Sequence, residues 1–303
     1  MRVPHPIPYQ GSKRHLASAI LRYFPSDTET LYEPFAGSAA ITIAASNYSL
    51  ANKFVLNDLN RPLIALWQEI INEPSQIVSS YAELWSAQTG RERAYYDFVR
   101  DEFNKTKRPD YLLYLLARCV KAAVRYNSTG QFNQSPDNRR RGAHPETIRK
   151  HVFGAASLLR GKTKCLSLDY REVLKNVGER DLIYLDPPYQ GVCGKRDPRY
   201  LENVAFDDFV MVLDELNVNE ISFIVSYDGR TGDKVFGKPL PSFLNLHYVE
   251  IHAGRSSQST LLGKDDNTYE SLYISPALIK RLSDCTSLYQ LESTEILEME
   301  ASV

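Results

Sequence analysis

Short apolar runs that close on acidic or glycine-bearing turns alternate with helix-spaced stretches along much of the chain. Leu182-Ile-Tyr-Leu185 is the clearest run. It lies between Asp181 and Asp186-Pro187-Pro188, and it predicts a strand buried on both faces, as in a parallel sheet. Residues 53–57 and 164–168 read the same way and end at Asp58 and Asp169. Leu31-Tyr-Glu33 runs into a turn at Gly37 and then a small-residue helix through Ile41 and Ala45. Residues 221–226 predict a further buried strand, and residues 247–251 and 269–275 a closing strand pair. A helix capped by an aspartate is predicted near Phe206, and Pro145 should open another from its first turn. Strand and helix in alternation predict an α/β fold.

Between Glu73 and Leu159 the alternation lapses. Helices are predicted near 75–85, 92–103 and 111–125. The last has an apolar stripe at Leu112, Leu115, Leu116, Cys119, Val120 and Ala123. This predicts two α/β segments, 1–72 and 161–280, an inserted, mainly helical domain at 73–160, and an acidic C-terminal tail at 281–303, either a helix or a loose segment.

Composition narrows the class. The 303 residues are 43% hydrophobic, enough for a sizeable core, and the net charge is -1, so any basic partner surface must be local. The four cysteines form no Cys-x-x-Cys pair, which argues against a zinc site and a disulfide framework and fits a reducing cytoplasm. No apolar run approaches the ~18 residues of a membrane span, and no signal-peptide apolar region is expected. One glycine stands where dehydrogenases carry Gly-x-Gly-x-x-Gly, so a nicotinamide enzyme is disfavoured.

The chemistry concentrates after the Leu182 run. Two prolines stiffen the turn and set the Asp186 carboxylate at a strand's carboxyl end, where open α/β sheets place ligands. The Pro187 carbonyl has no N–H from Pro188 beside it, and Tyr189 adds a flat face. Two fixed acceptors and a ring suit a planar group bearing NH2, such as a nucleobase; the competing expectation is a strand stop with a helix cap. Upstream, the Gly11-Ser12 turn and Lys13 suit a ligand carboxylate, and Asp58 stands where a ribose diol is usually held. Between Arg125 and His151 six Lys or Arg face two Asp or Glu, a local excess that marks a phosphate-binding face. Tyr126, Asn127, Phe132 and Asn133 are interleaved there and could stack on bases or read their edges.

Taken in order, Pro8-Tyr-Gln-Gly-Ser-Lys13, Tyr32-Glu-Pro-Phe-Ala-Gly-Ser38, Asn57-Asp-Leu-Asn60, Asp169-Tyr170 and Asp186-Pro-Pro-Tyr189 resemble the Dam-like, D12-class N6-adenine DNA methyltransferases of the alpha arrangement. The resemblance spans roughly 7–275. It implies a Rossmann-like S-adenosylmethionine-dependent methyltransferase sheet with an inserted, mainly helical DNA-recognition domain. It places Tyr9 and Lys13 at the methionine end of the cofactor and Glu33, Phe35, Ala36 and Gly37 in the cofactor loop. Asp58 would hold the ribose, Asp169 and Tyr170 would lie near the cofactor adenine, and Asp186, Pro187, Pro188 and Tyr189 would grip the target adenine. Asp186 would also border the cofactor. Arg125 to Asn133 resembles the family's DNA-contacting hairpin, with Lys121 before it and Arg139, Arg140 and Arg141 after it as further DNA contacts. Two departures stand out: Ala39 replaces a frequent second glycine, and Lys121-Ala122 replaces an Asn-Gly turn found in some relatives. The implied partners are double-stranded DNA and, within a restriction-modification system, a cognate endonuclease, with neither metal nor membrane. An RNA or other amine methyltransferase and a catalytically silent DNA-binding module remain as alternatives.

Overall fold

The computed structural model describes residues 2–188, 204–231, 234–236, 238–255 and 267–284, with backbone alone at 231, 234–236 and 255. Its centre is one mixed sheet. The strands are β1 (Thr30–Glu33), β2 (Lys53–Asn57), β3 (Thr163–Leu166), β4 (Leu182–Leu185), β5 (Phe223–Thr231), β6 (Lys234–Phe236), β7 (His247–Arg255) and β8 (Asn267–Ile274). They run in the order β3-β2-β1-β4-β5-β8-β7, with β6 paired to β5 off that path. Neighbours from β3 to β5 are parallel, and β8 is antiparallel to both β5 and β7. This is the Rossmann-like arrangement expected. Leu31 stands opposite both Phe54 and Leu182, and the apolar stretches of β1, β2 and β4 stack into one buried layer.

The chain moves outward from β1 through β2 to β3, then returns to lay β4 on the other side. The strand order reverses between β1 and β4, and such reversals open a crevice at the strands' carboxyl ends. Glu33 closes β1 and Asp186 follows β4, so both stand at that crevice.

Parallel neighbours β2 and β3 need one crossover helix. Here the connection holds five: α3 (Arg61–Asn72), α4 (Pro74–Ala87), α5 (Glu92–Thr106), α6 (Pro109–Arg118) and α7 (Pro145–Leu159). Buried Trp67, Ile77, Tyr96, Leu112 and Val152 join their apolar faces to the core under α1 (Ala17–Leu21) and α2 (Ala40–Asn47). The sheet's other face carries α8 (Tyr170–Leu174) and α9 (Phe206–Val218), packed through Tyr170, Phe209 and Leu213.

Several boundaries differ from the sequence reading. The helix predicted over 111–125 ends at Arg118, where Cys119 turns extended (ψ 161°); Lys121 (φ 58°) and Ala122 (φ 51°) beyond it then take the left-handed conformation. Helix α9 starts after Ala205 with no side-chain cap; Asp207 and Asp208 instead lie in its first turn, where they favour the helix dipole. Strand β5 extends five residues past Ser226, through a register shift between Ser226 and Gly229. Helix α10 (Pro276–Asp284) carries the chain beyond 281, and Arg281 bonds Asp27 and the carbonyls of Glu179, Arg180 and Asp181. The rest of the acidic tail lies outside the described residues.

Candidate active site

A cavity of about 430 Å³ opens at the crevice between β1 and β4. Tyr9, Lys13, Glu33, Phe35, Ala36, Gly37, Asp58, Asp169, Tyr170 and Asp186 all line it, together with Pro187 and Pro188. Ten positions singled out in the sequence, spread over 178 residues from Tyr9 to Asp186, therefore meet at one place. Tyr189 lies outside the described residues.

The floor is built from side chains that gather loop backbone. Gly37 has φ 48°, and a Cβ there would sit 3.0 Å from the Tyr9 ring, so no larger residue fits without moving that ring. Its N–H donates to Asp58 Oδ2 (3.1 Å) and its carbonyl accepts from Trp67 Nε1 (3.0 Å). Asp58 Oδ1 accepts the Asn60 N–H at 2.9 Å. Burial raises the Asp58 pKa, and the two N–H groups draw it part of the way back. Ala39 also sits at positive φ (49°), a geometry that favours glycine.

Asn57 had no role in the sequence reading beyond its place in a motif. It is 1% exposed, and its amide donates to the carbonyls of Pro34 and Leu168 and accepts the Leu168 N–H. One side chain thus ties the loops after β1, β2 and β3 together. A polar residue ending the apolar run Phe54-Val-Leu56 was the available signal, since buried amides need partners.

Glu33 is 3% exposed and accepts the Thr42 N–H at 3.1 Å, near the start of α2. Burial pushes its pKa up to about 8 against that hydrogen bond, and the Asp186 charge adds to the rise. Near neutral pH its acid form is therefore the main one. Asp169 caps α8 through the Arg171 N–H (2.9 Å), and its carboxylate also pairs with the Arg171 guanidinium, which helps hold its pKa down. Phe35 and Tyr170 pack ring to ring at 5.2 Å beside it.

Lys13 sits differently from the sequence reading. Its Nζ donates to both Asp186 oxygens, at 2.8 and 2.9 Å, with Glu270 Oε2 4.0 Å away. Burial pulls the ammonium toward neutrality, but Asp186 and then Glu270 more than offset this and keep it charged well above the usual lysine range. Lys13 thus orients the carboxylate of the Pro-Pro turn. A carboxylate has about four acceptor sites, so Asp186 can hold Lys13 and still accept from a ligand. Neither this pairing nor the part taken by Glu270 could be read locally, because Lys13 and Asp186 are 173 positions apart.

The predicted recognition segment forms a hairpin with Tyr126 bridged to Phe132. Both rings face inward: Phe132 is 1% and Tyr126 6% exposed, packed edge to face at 5.9 Å. They support the hairpin rather than presenting faces to bases, which corrects the stacking role considered for them. The alternation of a strand explains it, since Phe132 and Gln134 are buried while Gln131 and Asn133 are exposed. Asn127 Oδ1 is taken up by the turn itself, accepting from Thr129 N, Thr129 Oγ1 and Gln131 N. Arg125 is half-buried and Lys121 exposed. Arg139, Arg140 and Arg141 are all exposed; the first two lean on Asp137, and the third lies over the Trp85 ring. Two bonds fasten the hairpin's root to the pocket: Tyr126 OH to Asn60 Oδ1 (3.1 Å), and Gln10 N–H to the Ala122 carbonyl (3.0 Å).

Among the described residues no group of three or more His, Cys, Asp or Glu side chains could hold a metal ion, and no helix is long and apolar enough to cross a membrane.

The chain is similar in sequence to known DNA methylases. The chain is 33% identical over 190 residues to the retron Ec67 DNA adenine methylase of Escherichia coli, covering 60% of this chain and 62% of that one. It is 24% identical over 273 residues to the modification methylase StsI of Streptococcus sanguinis (85% of this chain, 41% of that one). A DNA adenine methylase of Salmonella typhi is 27% identical over 267 residues, 85% of this chain and 91% of that one. The chain thus spans less than two thirds of the first two relatives and most of the third. The family of D12 class N6 adenine-specific DNA methyltransferases matches residues 9–252. The chain belongs to that family.

Proposed function

We propose that the protein transfers a methyl group from S-adenosylmethionine to N6 of an adenine in double-stranded DNA. The observation that carries this is the Lys13-oriented Asp186 carboxylate beside the Pro187 carbonyl, at the mouth of a cavity whose other wall is a nucleoside-sized cradle.

The residues present fit the donor. Asp58 offers a carboxylate to a ribose, Phe35 and Tyr170 offer apolar rings to a purine, and Asp169 lies at its edge. Tyr9, Ala36 and Gly37 shape the loop between them. When bound, this cofactor supplies an electrophilic methyl group on a sulfonium.

Adenine N6 is a weak nucleophile because its lone pair is delocalised into the ring. Asp186 and the Pro187 carbonyl each accept one N6–H bond. This draws N6 toward tetrahedral geometry and leaves its lone pair free. Positive charge growing on N6 then meets acceptors already fixed in place by two prolines and by Lys13, a case of electrostatic preorganisation. The base must leave the duplex, at a cost of a few kcal/mol, and stacking on Tyr189 would return about 1–3 kcal/mol of it. Exposed Arg139, Arg140, Arg141 and Lys121 hold phosphates, and Asn133 and Arg125 of the hairpin read base edges. The relative named a modification methylase suggests a restriction endonuclease as companion, and the scattered cysteines suggest the cytoplasm as location.

Mapping N6-methyladenine in DNA from cells expressing the chain tests the reading. It predicts methylated adenines in a defined sequence context. Unmarked adenines, or labelled methyl transferred to RNA but not to duplex DNA, would overturn it.

A further inference from the structure

A second, smaller cavity lies apart from the methyl-transfer site. It measures about 140 Å³ and is bordered by Arg2, His5, Arg14 and His15 over a floor that includes Leu21 and Ala44. His151, on α7, stands behind His5, its ring centre 6.4 Å from that of His5.

The hydrogen bonds show how the imidazoles are held. His151 Nδ1 accepts the His5 backbone N–H at 3.0 Å, and His15 Nε2 accepts from Arg14 Nε at 3.1 Å. A ring nitrogen that accepts carries no proton, so both rings are neutral. Burial first, then neighbouring cations, lowers the pKa of all three histidines, and His5 falls to about 4. The charged groups acting on them are Arg2, Arg14, Lys150 and one another, with no carboxylate among them. This contrasts with adjacent Lys13, whose charge Asp186 answers. The last turn of α2 opposes an anion here with roughly half a negative charge. Two guanidiniums at the rim exceed it.

We propose that this pocket binds a phosphate group, with Arg2 and Arg14 as the permanent charges and His5 and His15 taking up protons as the anion enters. The same chemistry could come from a backbone phosphate of the DNA or from a free phosphate. The pocket owes nothing to the methyl-transfer reading.

The test titrates the full chain by calorimetry with inorganic phosphate and with sulfate, whose charge is constant over the range used. Sulfate should bind about tenfold more tightly near pH 6 than near pH 8, as expected for about half a proton taken up on average across that range. Arg2→Ala with Arg14→Ala should weaken binding of both anions at least about tenfold, whereas Arg93→Ala, an exposed arginine outside the pocket, should not. Both substituted arginines are exposed, so the fold should persist, and an unchanged far-UV spectrum checks this. The salt dependence of binding to a short duplex then separates the sources. A slope reduced by about one or two in the double variant identifies a DNA phosphate, and an unchanged slope with lost anion binding identifies a free phosphate. Equal binding of sulfate and phosphate by the wild-type chain and the double variant, with an unchanged slope, would overturn the proposal.

Discussion

Asp58 and Asn127 each use side-chain oxygens to collect donors from a turn, and the two regions they organise differ in what is left over. Around Asp58 the collected N–H groups belong to the loops after β1 and β2, and buried Asn57 stitches on the loop after β3. Its neighbours Glu33, Asn57 and Asn60 are nearly buried. Around Asn127 the donors are Thr129 and Gln131 at an exposed tip, while Tyr126 and Phe132 anchor the hairpin from below. The cradle is a bonded frame built on buried side chains. The hairpin hides its anchors and leaves Gln131 and Asn133 facing solvent. A cradle of this kind suits one invariant ligand, and a hairpin of this kind can change its outer residues without changing its support.

The largest effect expected from breaking this contrast lies on the cradle side. Folded Glu33 keeps its proton up to about pH 8, whereas the unfolded chain loses it in the ordinary glutamate range. Between those limits unfolding releases a proton, so the stability Glu33 contributes is complete at low pH and falls as pH rises, by up to roughly 1.4 kcal/mol per pH unit. Urea unfolding of Glu33→Gln should show that slope flattened; an unchanged slope would remove Glu33 as its source. On the hairpin side, Phe132→Ala should cost about 3–5 kcal/mol, as for other buried aromatics. Asn133→Ala should stay within about 0.5 kcal/mol while weakening DNA binding. Equal stability losses would mean the two faces are not divided as described.

Lys13→Met should cost about 3 kcal/mol, the low end for breaking a buried pair, since the Asp186 side chain keeps 20% exposure. Turnover should fall with it, and a fully active, equally stable variant would deny Lys13 its positioning role. The smallest stability effect is expected from replacing Arg139, Arg140 and Arg141 with Ala. Unfolding should barely change, but the slope of log affinity for DNA against log salt should shrink by about two or three. An unchanged slope would take them out of the interface.

How legible all this was in the sequence follows the same division. Strand β4 at Leu182–Leu185, strand β2 at Lys53–Asn57 and the proline-led start of α7 were readable, because apolar runs and first-turn prolines are local signals. Gly37, Asp58, Asp169 and Asp186 were readable because each sits at a strand end or the turn after it, whereas Glu33 entered only through the family resemblance. Tyr126 and Phe132 were not readable. An aromatic residue beside arginines fits a stacking surface or a core equally well, and only the hairpin's pairing decides which face each ring takes. The end of α6 was hidden too, since Lys121 and Ala122 have side chains that ordinarily prefer negative φ.

The account rests on Asp186 acting as a fixed acceptor for an exocyclic amine. The most direct measurement compares the wild-type chain with Asp186→Ala in single-turnover transfer of labelled methyl to a duplex bearing the mapped site, with cofactor and duplex binding measured on the same samples. A loss of about 10²–10³-fold or more, with both ligands still bound, is the predicted result. Transfer within about tenfold of wild type would contradict it.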